Sequence, residues 1–180
     1  MYTCKGQIKG TSPILFNRPA DDCLDPGPKP KTEEEILEAA RNKVHSNGNG
    51  LFFPRGGFKW SILNGSRIGG FKEGKKAFWF LLKPTMYVMS DLEFGKKTFD
   101  YMDKKFVTNE KTKSLVKSYR PALRAGWEAG FELIVLDDRR NPDFIKAAID
   151  EAGLLIGIGS GRPEFGRFEL TGWKVTKQKR

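Results

Sequence analysis

Phe131-Glu132-Leu133-Ile134-Val135-Leu136-Asp137-Asp138-Arg139-Arg140-Asn141-Pro142-Asp143 is the stretch on which the reading of this chain turns. Phe131, Leu133 and Val135 alternate in a short run with β-branched residues, the pattern of a buried strand, and the run stops at the charged residues Asp137 to Arg140. Asn141 then offers an N-cap, Pro142 suits the first helical position, and Asp143 places a negative charge in the first turn. The spacing predicts a helix from Pro142 to about Ala152, with Phe144, Ala147, Ala148 and Ile149 on its apolar face and Lys146, Asp150 and Glu151 in water. Gly153 fits a left-handed C-cap. Beyond it lies the loop Gly157-Ile158-Gly159-Ser160-Gly161-Arg162, which leads into a last strand carrying Phe168, Leu170 and Trp173.

The glycines do not form a dinucleotide fingerprint. That device needs a strand before the glycines and a helix after them, so that the helix N-terminus faces the pyrophosphate. Here a helix precedes and a strand follows, and no lysine stands at P-loop spacing. The exposed amides of the run Gly157-Ile158-Gly159-Ser160-Gly161, together with Arg162, remain a candidate phosphate contact. The alternative is a plain helix-to-strand connection.

Working outward, Tyr2 to Gly10 alternates Tyr2, Cys4 and Ile8 against polar residues and reads as the first strand. A proline-rich surface loop spans residues 17–31. Thr32 with Glu35 makes a capping box for a helix to about Val44, with Ile36, Leu37, Ala40 and Val44 facing inward. A helix is expected around Lys59 to Asn64. Phe78 to Leu82 reads as core, and Thr85 to Ser90 pairs through a turn at Gly95 with a strand over Lys97 to Asp103, giving a hairpin. Ser114 to Tyr119 is a further strand, and residues 174–180 form a basic tail.

The 180 residues, 38% of them hydrophobic, suit one domain with a real core. A formal charge of +10 points to a polyanionic partner, against the alternative of charge kept for solubility alone. The absence of a signal-peptide pattern and of a long apolar run leads to the expectation of a cytoplasmic protein with no membrane partner. Cys4 and Cys23 lack metal or redox spacing, so neither metal nor cofactor is expected. His45, the only histidine, sits in the polar run His45 to Gly50 and reads as a loop residue.

Between Arg55 and Lys76 the cations Arg55, Lys59, Arg67, Lys72, Lys75 and Lys76 face only Glu73, with Phe53, Phe58, Trp60, Phe71, Phe78 and Trp79 among them. Such interleaving suits a single nucleic-acid strand, because cations neutralise phosphates while exposed rings stack on bases. Lys96, Lys97, Arg120 and Arg167 extend the basic character. The order of elements gives an α+β fold, a ferredoxin-like or RRM-like antiparallel sheet with a βαββαβ core, its helices on one face and a β-hairpin inserted.

The segment from Phe131 through Gly157-Ile158-Gly159-Ser160-Gly161-Arg162-Pro163-Glu164-Phe165-Gly166-Arg167-Phe168 resembles the end of RAMP superfamily proteins, which include backbone subunits of CRISPR effector complexes. It is also similar to small phage-encoded relatives, which share the first strand ending near Thr11 to Leu15 and a Tyr119-Arg120-Pro121 segment. The resemblance implies an RRM-like core and non-catalytic binding of a single strand by side-by-side protomers, with the glycine-rich loop and basic residues on the backbone. Guide RNA with CRISPR effector subunits, or single-stranded DNA in phage replication or recombination, are the settings it implies, in a bacterial or phage-infected cell. From the residues, phosphate contact falls to Arg55, Lys59, Arg67, Lys72, Arg162 and Arg167, and stacking to Phe58 or Trp60. Two alternatives stay open: an inhibitor that imitates a backbone subunit and binds a host protein complex, and a metal-dependent nuclease built from Asp137 and Asp138 with Glu73 or Glu132.

Overall fold

The computed structural model describes residues 1–18, 32–108 and 113–177. In chain order the elements are β1 (Tyr2–Gly10), β2 (Ile14–Leu15), α1 (Glu33–Arg41), β3 (Ser46–Asn47), β4 (Gly50–Phe53), α2 (Arg55–Ile68), β5 (Lys72–Glu73) and β6 (Lys76–Ala77). They continue with α3 (Phe78–Leu82), β7 (Met86–Val88), β8 (Leu92–Glu93), β9 (Tyr101–Thr108), β10 (Leu115–Leu123), β11 (Glu128–Val135), α4 (Pro142–Glu151), a π-helical turn (Ala152–Ile156) and β12 (Phe168–Lys177). Most of the proline-rich segment, Cys23, Lys111 and the end of the basic tail lie outside the described residues.

Alternation along β1 and β11 decides the architecture. Tyr2, Cys4 and Ile8 are buried on one side of β1, and Ala129, Phe131, Leu133 and Val135 on the same side of β11. These strands are the middle of a four-stranded sheet ordered β12-β1-β11-β7, with every neighbouring pair antiparallel. With α2 between β1 and β7 in sequence and α4 between β11 and β12, this is the strand order of a βαββαβ ferredoxin-like core. Phe58 and Ile62 of α2 and Ile145, Ala148 and Ile149 of α4 complete the core against the apolar face. The two helices cross closely at Gly65, where an added Cβ would stand 2.2 Å from the Ala148 carbonyl oxygen.

The caps form as their residues dictate. Asn141 accepts a hydrogen bond from the Asp143 amide with Pro142 in the first turn, and Thr32 and Glu35 close a reciprocal capping box on α1. Glu33 then docks α1 on the second sheet, ordered β2-β10-β9, by pairing with Lys117 at 3.4 Å and Lys104 at 3.6 Å and accepting from the Tyr119 hydroxyl.

Several expectations are corrected. The hairpin expected between residues 85–90 and 97–103 does not form: β7 pairs with β11, β8 pairs with β4, and it is β9 that forms a hairpin, with β10. Buried Leu92 and Phe94 pull the segment after β7 into the core instead of letting it turn back on β7. The helix expected over Lys59 to Asn64 runs from Arg55 to Ile68, because close packing on α4 outweighs the poor helix propensity of its glycines. Gly153 is not a left-handed cap. It lies buried inside the π turn, where a Cβ would meet the Phe168 carbonyl oxygen at 2.1 Å, and the positive φ of 75° falls at Gly157. Of Phe78 to Leu82 only Phe78 and Leu82 are buried. Phe80 is 61% exposed, since a five-residue helix turns just one side inward.

Candidate nucleic-acid interface

A groove of about 870 Å³ lies between the N-terminal half of α2, the glycine-rich loop and the exit of β2. Its walls include Phe16, Asn17, His45, Phe53, Trp60, Leu155, Gly159, Ser160, Gly161 and Arg162. Trp60 is 48% exposed, and the Arg162 guanidinium lies over its ring at 4.3 Å. Partial burial there lowers the Arg162 pKa from its usual value.

Local chemistry fixes the loop. Gly157, Gly159, Gly161 and Gly166 all adopt positive φ, between 74° and 84°, which favours glycine at these turns. The Gly157 amide bonds the Ala152 carbonyl at 2.7 Å and closes the π turn, while buried Ser61 of α2 donates to the Gly157 carbonyl at 2.9 Å. The Ser160 amide donates to Leu15 at 2.8 Å, that of Ile158 to Gly166 at 2.9 Å, that of Phe165 to Gly161 at 3.2 Å and that of Gly166 to Pro13 at 2.7 Å. Much of the amide array expected to meet phosphate is therefore committed to the protein, and the loop presents side chains instead. From the hairpin, Lys105 reaches across to Glu164 at 3.0 Å and lies over Phe165 at 4.2 Å.

The sequence-predicted residues do not converge on one place. Trp60, Gly159, Gly161 and Arg162 come together at the groove, with Gly157 behind it. Phe58 is fully buried between Phe131 and Phe168, with ring centroids at 5.0 and 6.1 Å, and has no face to offer a base. The reason is helical: successive residues turn by about 100°, so Phe58, Lys59 and Trp60 point three ways. Lys59 lies over Tyr87 at 5.0 Å and joins Arg55 in a separate groove of about 510 Å³ beside β7, where burial, aided by Lys83, lowers its pKa. Arg67 sits at the other end of α2, about 18 Å from Arg55 along the axis. Lys72, Lys75 and Lys76 are exposed around the β5–β6 turn. Lys96 is paired with Asp100 at 2.8 Å, Lys97 is exposed beside it, Arg120 lies in β10 opposite Asp103, and Arg167 opens toward β12 with its amide bonded to Ser12.

Asn17, His45, Phe53, Ser160 and Leu155 belong to the groove without having been singled out as site residues. His45 is a loop residue as expected, yet its loop borders the groove; nothing in its polar run signals that. The carboxylates weighed as a nuclease site are otherwise engaged. Asp137 and Glu73 both bind Arg140, whose side chain is 11% exposed, and Arg139 clasps Asp137 at 2.9 Å. The Arg139 and Arg140 guanidinium groups hold the Asp137 carboxyl well below the usual carboxylate range. Asp138 pairs with the N-terminal ammonium at 3.5 Å and Glu132 with Lys5 at 3.1 Å. Among the described residues no group of three or more His, Cys, Asp and Glu is placed to hold a metal ion, and no helix is long and apolar enough to cross a membrane.

No protein-family model and no curated protein matches the sequence. Solved structures do. A chain in a cryo-EM structure of the type III-B Cmr-β complex bound to cognate target RNA aligns with a TM-score of 0.66 at 12% identity. That match covers 98% of this chain but 61% of the other, so this chain spans about three-fifths of its length. The crystal structure of Cmr6 from Pyrococcus furiosus aligns with a TM-score of 0.51 at 10% identity, covering 94% of this chain and 98% of that one. The chain therefore shares its mixed α+β fold with Cmr6 and with a chain in the type III-B Cmr-β structure.

Proposed function

We propose that this protein is a non-catalytic binder of single-stranded nucleic acid, RNA ahead of DNA, working within a larger assembly. The observation that carries the reading is the groove in which the half-exposed Trp60 ring and the Arg162 guanidinium meet below a rigid glycine-rich loop. An aromatic face and a cation in one concavity serve the stacking and charge terms of single-strand binding, and the +10 charge adds long-range attraction. Likeness to a chain of a complex bound to target RNA supports RNA over DNA and subunit partners over solitary action.

The test is equilibrium binding to labelled single-stranded RNA, single-stranded DNA and duplex DNA of matched length over a salt series. Salt-sensitive binding to single-stranded RNA, weaker on DNA and weakest on duplex, is the expected result. Equal, weak binding to all three overturns the reading. A second reading, an interaction protein that docks on a host complex, is favoured by one observation: Tyr87, Met89 and Leu136 are exposed together beside Arg55 and Lys59. It predicts a stoichiometric protein complex with little affinity for strands.

A further inference from the structure

We propose that the outward face of the Arg162 guanidinium is a stacking seat for one nucleobase, with Trp60 as its backing, so that Arg162 is a base contact and not a phosphate contact. This rests on the strand-binding reading above. The Arg162 guanidinium lies 4.3 Å from the Trp60 ring centroid and both side chains line the groove, so a flat, weakly hydrated cation is held against an aromatic ring at its wall. Arginine planes and aromatic rings are both surfaces on which unstacked bases settle.

The lining of the groove points to a base. Leu15, Phe53, Leu155 and Pro163 line it beside Trp60, and among the described residues Arg162 is the only Lys, Arg, Asp or Glu that lines it. A run of phosphates calls for several cations, because each neutralised phosphate releases counterions. One cation among apolar walls and neutral polar groups such as Asn17 and Ser160 suits a flat heterocycle with polar edges. The seat is also held in place. The Ser160 amide ties the loop to Leu15 at 2.8 Å before Arg162, and Lys105 ties it to the hairpin through Glu164 at 3.0 Å after Arg162, so little ordering is left for binding.

A cycle of protein and ligand changes tests this. Wild type, Arg162→Lys and Trp60→Leu are titrated with short single-stranded oligouridine and with a ribose-phosphate strand of the same length lacking bases, each over a salt series. Lysine keeps the charge and removes the plane. On oligouridine both variants are expected to bind roughly 5- to 100-fold more weakly than wild type, the range of one lost stack, with the salt slope of Arg162→Lys unchanged. On the base-free strand all three proteins should agree within about twofold, since the seat then has nothing to hold. Binding of Arg162→Lys to oligouridine within about twofold of wild type, or an equal loss on both strands, overturns the proposal and makes Arg162 a phosphate contact. If wild type binds neither strand, the strand-binding reading itself fails, a result distinct from failure of the seat alone.

Discussion

The exposed face of the main sheet and the groove under the glycine-rich loop are both open to solvent, and they are built on opposite principles. On the sheet, Lys5 pairs with Glu132 at 3.1 Å, Lys9 with Glu128 at 3.8 Å, and Gln7 donates to Glu128 at 3.3 Å. Its charges are answered across strands, and among the described residues Tyr87 at the β7 edge is the aromatic its outward positions supply. An RRM stacks bases on aromatics of that same face. The groove instead leaves one cation against one indole, with apolar and neutral polar walls around them. A shared strand order does not by itself carry a shared binding surface, and the proposed function places the chemistry at the loops at the end of the sheet.

Three experiments put this contrast to the test. The largest effect is expected from Gly166→Ala. That residue has φ 74°, and an added Cβ would fall 1.7 Å from the Ile158 carbonyl oxygen, so the loop must open or the core yield. A loss of about 3 kcal/mol in denaturant unfolding is expected. Unchanged stability would show the loop to be separable from the fold, as the sheet face is not. Next comes a direct comparison of the two surfaces. Replacing both Lys5 and Lys9 by Ala should change single-stranded RNA affinity by less than about twofold, because exposed, mutually paired charges contribute little, whereas Trp60→Ala should weaken it about tenfold. Reversed magnitudes in fluorescence anisotropy would return the site to the sheet.

The smallest effect concerns Asp137, which belongs to neither surface. Arg139 and Arg140 stabilise its charged form in the fold, so its folded pKa lies below the unfolded one. Its contribution is therefore complete above the unfolded carboxylate value and is lost as pH falls through the folded one. Asp137→Asn should lower Tm by about 2–4 °C near neutral pH, and this difference should shrink below about pH 4. RNA affinity should stay as in wild type; a drop would tie this cluster to the site after all.

What the residues reveal by themselves depends on how local the cause is. The β11–turn–α4 stretch, the Asn141 cap and the Thr32 box could be read directly, since each rests on contacts within a few positions. The βαββαβ order followed from the succession of these elements. The hairpin was misplaced because the partner of β9 is chosen by where Leu92 and Phe94 are buried, a fact absent from its own alternation. The site was legible in part. Trp60 and Arg162 could each be named from composition, but about a hundred residues separate them, and only the fold makes them a pair. Phe58 illustrates the opposite error: interleaved aromatics and cations look like one surface in a line of text and become three directions on a helix.

The π turn at Ala152–Ile156 carries a last consequence. By bonding Gly157 to Ala152 it holds one residue more than an α-helical turn would, and that extra residue sets the phase of all that follows. Leu155 lies at the groove wall and Ser61 meets the Gly157 carbonyl only in that phase. The groove is thus specified by counting as well as by composition: losing one residue here, with every side chain of the site intact, would rotate the loop by about 100° and leave its parts facing elsewhere. A length polymorphism at the end of α4 is in this sense a change in the shape of the groove written without any change of chemistry.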